Sequence, residues 1–220
     1  MTLQEPEMKR LDLEIENYFT GLKNTIDSLS RMEIKNFIDV LMDAYQNNKN
    51  IYVFGNGGSA ATASHMACDL NKGASYQKEQ RFKVYSLNDN ISILMAYSND
   101  VSYEDVFIEQ LKNFLCEDDV AVGISGSGNS PNVIKAIQYA NQHKCITVGI
   151  TGYDGGNLKK ISTYSVNANI HNMFIAEDIH LILNHLTLHL LKSCLIPDVQ
   201  YQKSLSSKKS SSWGCSSLSP

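Results

Sequence analysis

The chain has 220 residues, 43% of them hydrophobic, enough to bury one sizeable core with little left for a second domain. Its formal charge of -4 and its lack of a clustered basic run exclude a nucleic-acid surface as its main business and favour a small-molecule ligand. Five scattered cysteines, none in CxxC spacing, suggest neither a disulfide framework nor a zinc ribbon and fit a reducing, cytoplasmic setting.

In chain order, "MTLQEPEMKR" offers no apolar run of the kind a secretory signal needs. Leu11, Ile15, Tyr18, Leu22 and Ile26 then recur at three- and four-residue steps and predict an amphipathic helix over 8–27. A second helix starts at "SRME", where Ser30 caps and Glu33 is placed to return the bond, and it runs through Phe37, Val40, Leu41 and Tyr45. These two helices precede every strand, so residues 1–47 are expected to pack on the domain or at an oligomer interface.

From Ile51 the pattern alternates. The segments 51–55, 82–87, 120–125, 146–151 and 164–169 are short and rich in β-branched or aromatic residues. Helical stretches are expected at 59–71, 90–97, 103–115, 131–143, near 157–161 and at 174–195. This rhythm predicts an α/β fold, a three-layer α/β/α sandwich with a central five-stranded parallel sheet of flavodoxin-like type, spanning 48–197. The late apolar segment "IHLILNHLTLHLLKSCL" is interrupted by His180, Asn184, His185, His189 and Lys192, which a bilayer core would penalise. Residues 201–220 hold nine serines and no apolar periodicity, so 198–220 is expected to be a disordered tail outside the fold.

Open parallel sheets gather ligands at the carboxyl ends of their strands, where helix N-termini present free N–H groups. Two strand ends here are built alike: "FGNGGSAA" after the first strand and "ISGSGNSPN" after the third. In the first, Gly55, Gly57 and Gly58 allow a tight turn, and Ser59 offers a hydroxyl where the helix begins. In the second, Ser125, Ser127 and Ser130 surround Gly126 and Gly128, with Ser130 as N-cap and Pro131 at the first helical position. Together they form a basket of neutral donors suited to a phosphate dianion. Neither loop matches GxxxxGK[ST] or GxGxxG, which sets nucleoside triphosphates and dinucleotides aside.

The stretches "GNGGSAATASH" and "GISGSGNSPNVIKA" resemble the two signature loops of the sugar isomerase (SIS) domain family and, within it, those of the phosphoheptose isomerases. The similarity runs from the N-terminal helices to about Leu195. It implies that Ser59, Ser125, Ser127 and Ser130, with the Gly126 backbone, hold a sugar phosphate. The substrate set also takes in Asn56, Gly57, Gly58 and Asp100. A homotetramer with active sites at subunit interfaces is implied as well.

Moving a proton between adjacent carbons of a sugar needs a base, an acid and a stabiliser for the developing oxyanion. His65 and Asp69, at i and i+4, share one helix face beyond the first loop. "AEDIHLILNHLTLH" supplies Glu177, His180, His185 and His189. Spacing alone pairs Glu177 with His180, because eight residues on a helix separate Glu177 from His185 by about 12 Å. The resemblance instead implies a zinc set of His65, Asp69, Glu177 and His185, with Asp69 or Glu177 as general base and His185 as general acid. Three positions depart from the pattern it implies: Asp69 stands for a Glu, Glu177 for a Gln, and Phe174 for an Asp.

The activity implied is isomerisation of sedoheptulose 7-phosphate to D-glycero-D-manno-heptose 7-phosphate through an enediol, a step towards surface polysaccharide. The competing readings are a non-catalytic SIS phosphosugar-binding regulator or initiator-binding scaffold, and an isomerase of another phosphosugar, which Phe174 encourages.

Overall fold

A computed structural model describes residues 4–195; the serine-rich tail lies outside the described residues. Helix α1 (Glu5–Ser28) opens with Pro6 in its first turn and Glu7 bonded back to the Gln4 N–H, 2.8 Å. Helix α2 (Arg31–Gln46) starts where Ser30 Oγ accepts from the Glu33 N–H, 3.2 Å. The expected reciprocal bond from Glu33 does not form. Its carboxylate reaches across the fold and accepts from the Asn167 N–H at 3.0 Å, tying the start of α2 to a strand.

The strands are β1 (Asn50–Gly55), β2 (Lys83–Ser86), β3 (Val120–Ser125), β4 (Ile146–Gly152) and β5 (Tyr164–Ala168). All are parallel, in the order β2-β1-β3-β4-β5. The chain winds one way from β1 to β2 and the other way from β3 onward, so the topological switch lies between β1 and β3, which are neighbours. That adjacency brings the two glycine–serine loops side by side.

The helices that follow are α3 (Gly58–Cys68), α4 (Ile91–Asp100), α5 (Ile108–Phe114), α6 (Pro131–Gln142), α7 (Gly156–Ile161) and α8 (Met173–Cys194). The stretch expected as one helix over 103–115 is a 3₁₀ turn, Tyr103–Asp105, followed by α5. Beyond Cys68 the α3 ladder widens into a π-helical turn, Asp69–Ala74, a distortion that often marks functional sites.

On one face of the sheet α2, α3 and α8 bury Phe37, Leu41, Met66 and Ile179 against Val53, Val122 and Ile150; on the other, Phe54 and Phe107 lie 5.2 Å apart above Val133 and Ile137. Each fully buried side chain of this kind contributes about 1.5–3 kcal/mol. Within α1 the apolar stripe divides. Tyr18, Leu22 and Ile26 pack on the core, and the Tyr18 hydroxyl donates to Asp178 at 2.5 Å, a bond to a carboxylate that pushes the phenol up to about 12. Met8, Leu11, Leu13, Ile15 and Phe19 remain exposed. No helix among the described residues is long and apolar enough to cross a membrane.

Candidate active site

The two loops leave β1 and β3 at the carboxyl edge of the sheet. Gly57 turns the first with φ of 55°, a left-handed conformation that a side chain would strain, and α3 begins at the next residue. The second carries Ser125 into Gly126 and Ser127, and Pro131 starts α6 after Ser130. Between the loops lies a cavity of about 160 Å³ lined by Asn56, Ser59, Ser125, Gly126, Ser127 and Ser130. Ser125 and Ser130 hydroxyls are 3.0 Å apart, and the N-termini of α3 and α6 add orphan N–H donors and positive dipole ends. No Lys or Arg lines this cavity. Its loop residues offer neutral hydroxyl, amide and backbone donors.

Met173 and Glu177, from the first turns of α8, close the cavity from the other side. The Glu177 carboxylate lies against Gly58, 2.5–2.6 Å from where a Cβ on that glycine would stand. Further along, Leu188 of α8 comes within 3.1 Å of the corresponding point on Gly73. The two helices thus run side by side in the same direction. Seven residues separate Gly58 from His65, about 10 Å of helix axis, so the far end of the pair forms a second cluster.

There His65, Asp69 and His185 place one ligand atom each within 4.8 Å of one another. His65 Nε2 is 3.4 Å from Asp69 Oδ2, and the His65 and His185 rings meet edge to face at 4.9 Å. Asn184, buried beside His185, donates from Nδ2 to Asp69 Oδ2 at 3.0 Å and holds that carboxylate in place. Two imidazoles and a carboxylate with a hydrogen-bonded backing are donors that suit zinc.

Three members of the implied zinc set therefore converge, and Glu177 does not stand with them. Parallel packing of α3 and α8 keeps it beside Gly58 and the serine-lined cavity, eight residues of helix before His185. The spacing-based pair of Glu177 with His180 also fails to form: His180 is buried, 1% exposed, and neither ring nitrogen has a hydrogen-bond partner. Burial pushes its pKa below the ordinary imidazole value, and the Thr151 backbone acts weakly in the opposite sense. Asp100 ends α4 in an exposed position, bonded to its neighbour Asn99 at 2.7 Å, and is not among the residues lining the cavity. Phe174 is 73% exposed beside Met173. Asn184, read from the sequence only as an interruption of an apolar segment, and Asn132, not singled out there, are buried polar groups. Such residues need partners, and that was the available signal.

A doubly wound sheet with a phosphate-sized pocket at its switch point and a His–Asp cluster one helix-length away defines a phosphosugar-handling α/β protein. A model of the SIS domain matches residues 16–152. The chain is 36% identical over 157 residues to the phosphoheptose isomerase of Geotalea uraniireducens (strain Rf4), covering 71% of this chain and 82% of that relative. It is 33% identical over 176 residues to the phosphoheptose isomerase of Helicobacter pylori (strain P12), covering 80% and 88%. The structure of phosphoheptose isomerase GmhA from Neisseria gonorrhoeae superposes with a TM-score of 0.76 at 25% identity, over 84% of this chain and 98% of that one. The chain belongs to the SIS domain family.

Proposed function

We propose that the protein is an aldose–ketose isomerase that converts sedoheptulose 7-phosphate to D-glycero-D-manno-heptose 7-phosphate. The observation that carries this reading is the alignment of α3 with α8, which puts a phosphate pocket and a His–Asp cluster about 10 Å apart along one helix, the reach of an extended phosphosugar. The relatives named phosphoheptose isomerase support the choice of sugar.

In this reading the hydroxyls of Ser59, Ser125, Ser127 and Ser130 and the Gly126 backbone bind the phosphate, with Gly57 and Gly58 letting it approach α3. His65, Asp69 and His185 would hold a zinc ion, which when bound polarises the sugar's carbonyl oxygen as a Lewis acid. Asp69 takes the proton from the carbon beside the carbonyl to give an enediol, and His185, exposed at the mouth of the cluster, delivers one to oxygen. Glu177, eight residues before His185 on α8, is the alternative base. The active form is a homotetramer, to which the exposed apolar residues of α1 contribute an interface. Four unpaired cysteines among the described residues support a cytoplasmic setting.

The test is a coupled assay offering sedoheptulose 7-phosphate, fructose 6-phosphate and their amino analogues, with and without zinc. Turnover of the heptulose phosphate in preference to the others is expected. Phe174, an exposed aromatic beside the phosphate pocket, favours a different sugar as the second reading, and preferential turnover of a hexose phosphate would establish it over the first.

A further inference from the structure

Asn56 directly follows β1, and Asn132 is the second residue of α6, on the other phosphate loop. Their side-chain amides face each other in a reciprocal pair: Asn56 Nδ2 donates to Asn132 Oδ1 at 2.9 Å, and Asn132 Nδ2 donates to Asn56 Oδ1 at 2.9 Å. The orientation of Asn132 is dictated from outside the pair, and that of Asn56 follows from Asn132. The Val133 N–H, which can only donate, bonds Asn132 Oδ1 at 2.9 Å, so Nδ2 must face Asn56. Tyr103 donates its hydroxyl to Asn56 Oδ1 at 2.8 Å. The turn carrying Tyr103 is itself held to α6, since Lys135 meets Glu104 at 2.9 Å and Asp105 at 3.2 Å. On the opposite side Asn88 brackets Gly55, accepting from its N–H at 3.2 Å and donating to its carbonyl at 2.8 Å.

Asn132 is 1% exposed, so a mismatched partner there leaves a polar group without water to replace it. Asn56 commits its Oδ1 and one of its two Nδ2 protons inside the protein and keeps the second proton for the cavity it lines. We propose that the Asn56–Asn132 pair is a strut that sets the separation of the two loops so that both close on one phosphate, making Asn132 a positioning residue and Tyr103 a brace on Asn56. This rests on the reading of the loops as a phosphate site. The two loops come from different strands, and the donors they bring to the cavity are hydroxyls, backbone N–H groups and the Asn56 amide. Donors held in advance at the right spacing bind an anion without the cost of ordering them afterwards.

The experiment measures inorganic phosphate binding by calorimetry, together with KM and kcat, in the wild type, Asn132→Asp and Tyr103→Phe. Asn132→Asp keeps shape and the bond from Val133 but sets two oxygens face to face. Phosphate affinity and KM should worsen by about tenfold at neutral pH, with kcat changed by less than about threefold. In mildly acidic buffer, the variant's affinity relative to wild type at the same pH should recover, because the protonated carboxyl again donates to Asn56 Oδ1 while accepting from its Nδ2. Tyr103→Phe should weaken phosphate binding in the same sense by a smaller factor. Wild-type phosphate affinity in a folded Asn132→Asp protein, or a fall in kcat with KM unchanged, overturns the strut while leaving the phosphate site standing. Should Asn132→Asp fail to fold, unchanged affinity in Tyr103→Phe overturns it. A wild-type protein that binds no phosphate removes the phosphate site and the strut with it.

Discussion

The carboxylate of Glu177 rests on Gly58 at the N-terminus of α3 and lines the same cavity as Ser59, Ser125 and Ser127. On the proposed reading of the pocket, substrate phosphate has to bind against this carboxylate. Glu177→Gln preserves the shape and removes the charge. Phosphate affinity should tighten by about fivefold, an effect near 1 kcal/mol for a partly exposed charge a few ångströms from the ligand. Calorimetry with inorganic phosphate decides the matter; equal or weaker binding in the variant would show that the carboxylate does not oppose the ligand.

Of the serines in the pocket, Ser127 is the clearest test of hydroxyl recognition. Its Oγ accepts only the Asn129 N–H, at 3.2 Å, within its own loop. Ser127→Ala should weaken phosphate binding by about 1–2 kcal/mol with the thermal midpoint nearly unchanged. A variant that binds phosphate as the wild type does would take this residue out of the site.

For the metal cluster, His65→Ala and His185→Ala should each lower both bound zinc and turnover, because a three-residue donor set has no spare ligand. Glu177→Gln should retain zinc, since the Glu177 carboxylate is not among the converging ligand atoms. Elemental analysis of the three purified variants separates these outcomes, and zinc loss from Glu177→Gln alone would restore Glu177 to the ligand set.

His180 makes stability depend on pH. Buried and without partners, its ring is held neutral, with a folded pKa below the ordinary 6.5. Above that value both folded and unfolded chains carry a neutral ring and the contribution is complete. As pH falls from 6.5 toward the depressed folded value, the unfolded chain takes up a proton that the folded chain refuses, and stability declines by up to about 1.4 kcal/mol per pH unit. Replacing His180 by Leu should flatten this part of the denaturation profile; a slope identical to wild type would assign it to other groups.

The division of α1 predicts two different mutant behaviours. Ile26 packs on the core of its own chain, so Ile26→Lys should cost about 2–4 kcal/mol in denaturant unfolding. Leu11 and Ile15 are 44% and 50% exposed, so Leu11→Lys with Ile15→Lys should leave the chain folded but lower its mass in light scattering below four chains. A fully active monomer in the wild type would end the assembly proposal.

The strand segments, the parallel sheet and the two glycine–serine loops were legible in the sequence because each rests on local chemistry. β-Branched runs alternate with amphipathic stretches, and Gly and Ser cluster where the backbone must turn and donate. The i, i+4 pairing of His65 with Asp69 was legible for the same reason, since one helix determines it. What no local pattern decides is how α3 lies against α8. Only their parallel packing joined His185 to the His65–Asp69 pair, left Glu177 on the anion pocket and sent His180 into the core. Glu33 likewise had a local partner available and took Asn167 on β5 instead, because the strand N–H is brought to it by the sheet. The Asn56–Asn132 pair spans 76 residues of sequence and exists because β1 and β3 are neighbours in the sheet order. Local propensity and periodicity are written residue by residue, whereas the meeting of two distant polar side chains is set by the crossing of whole elements.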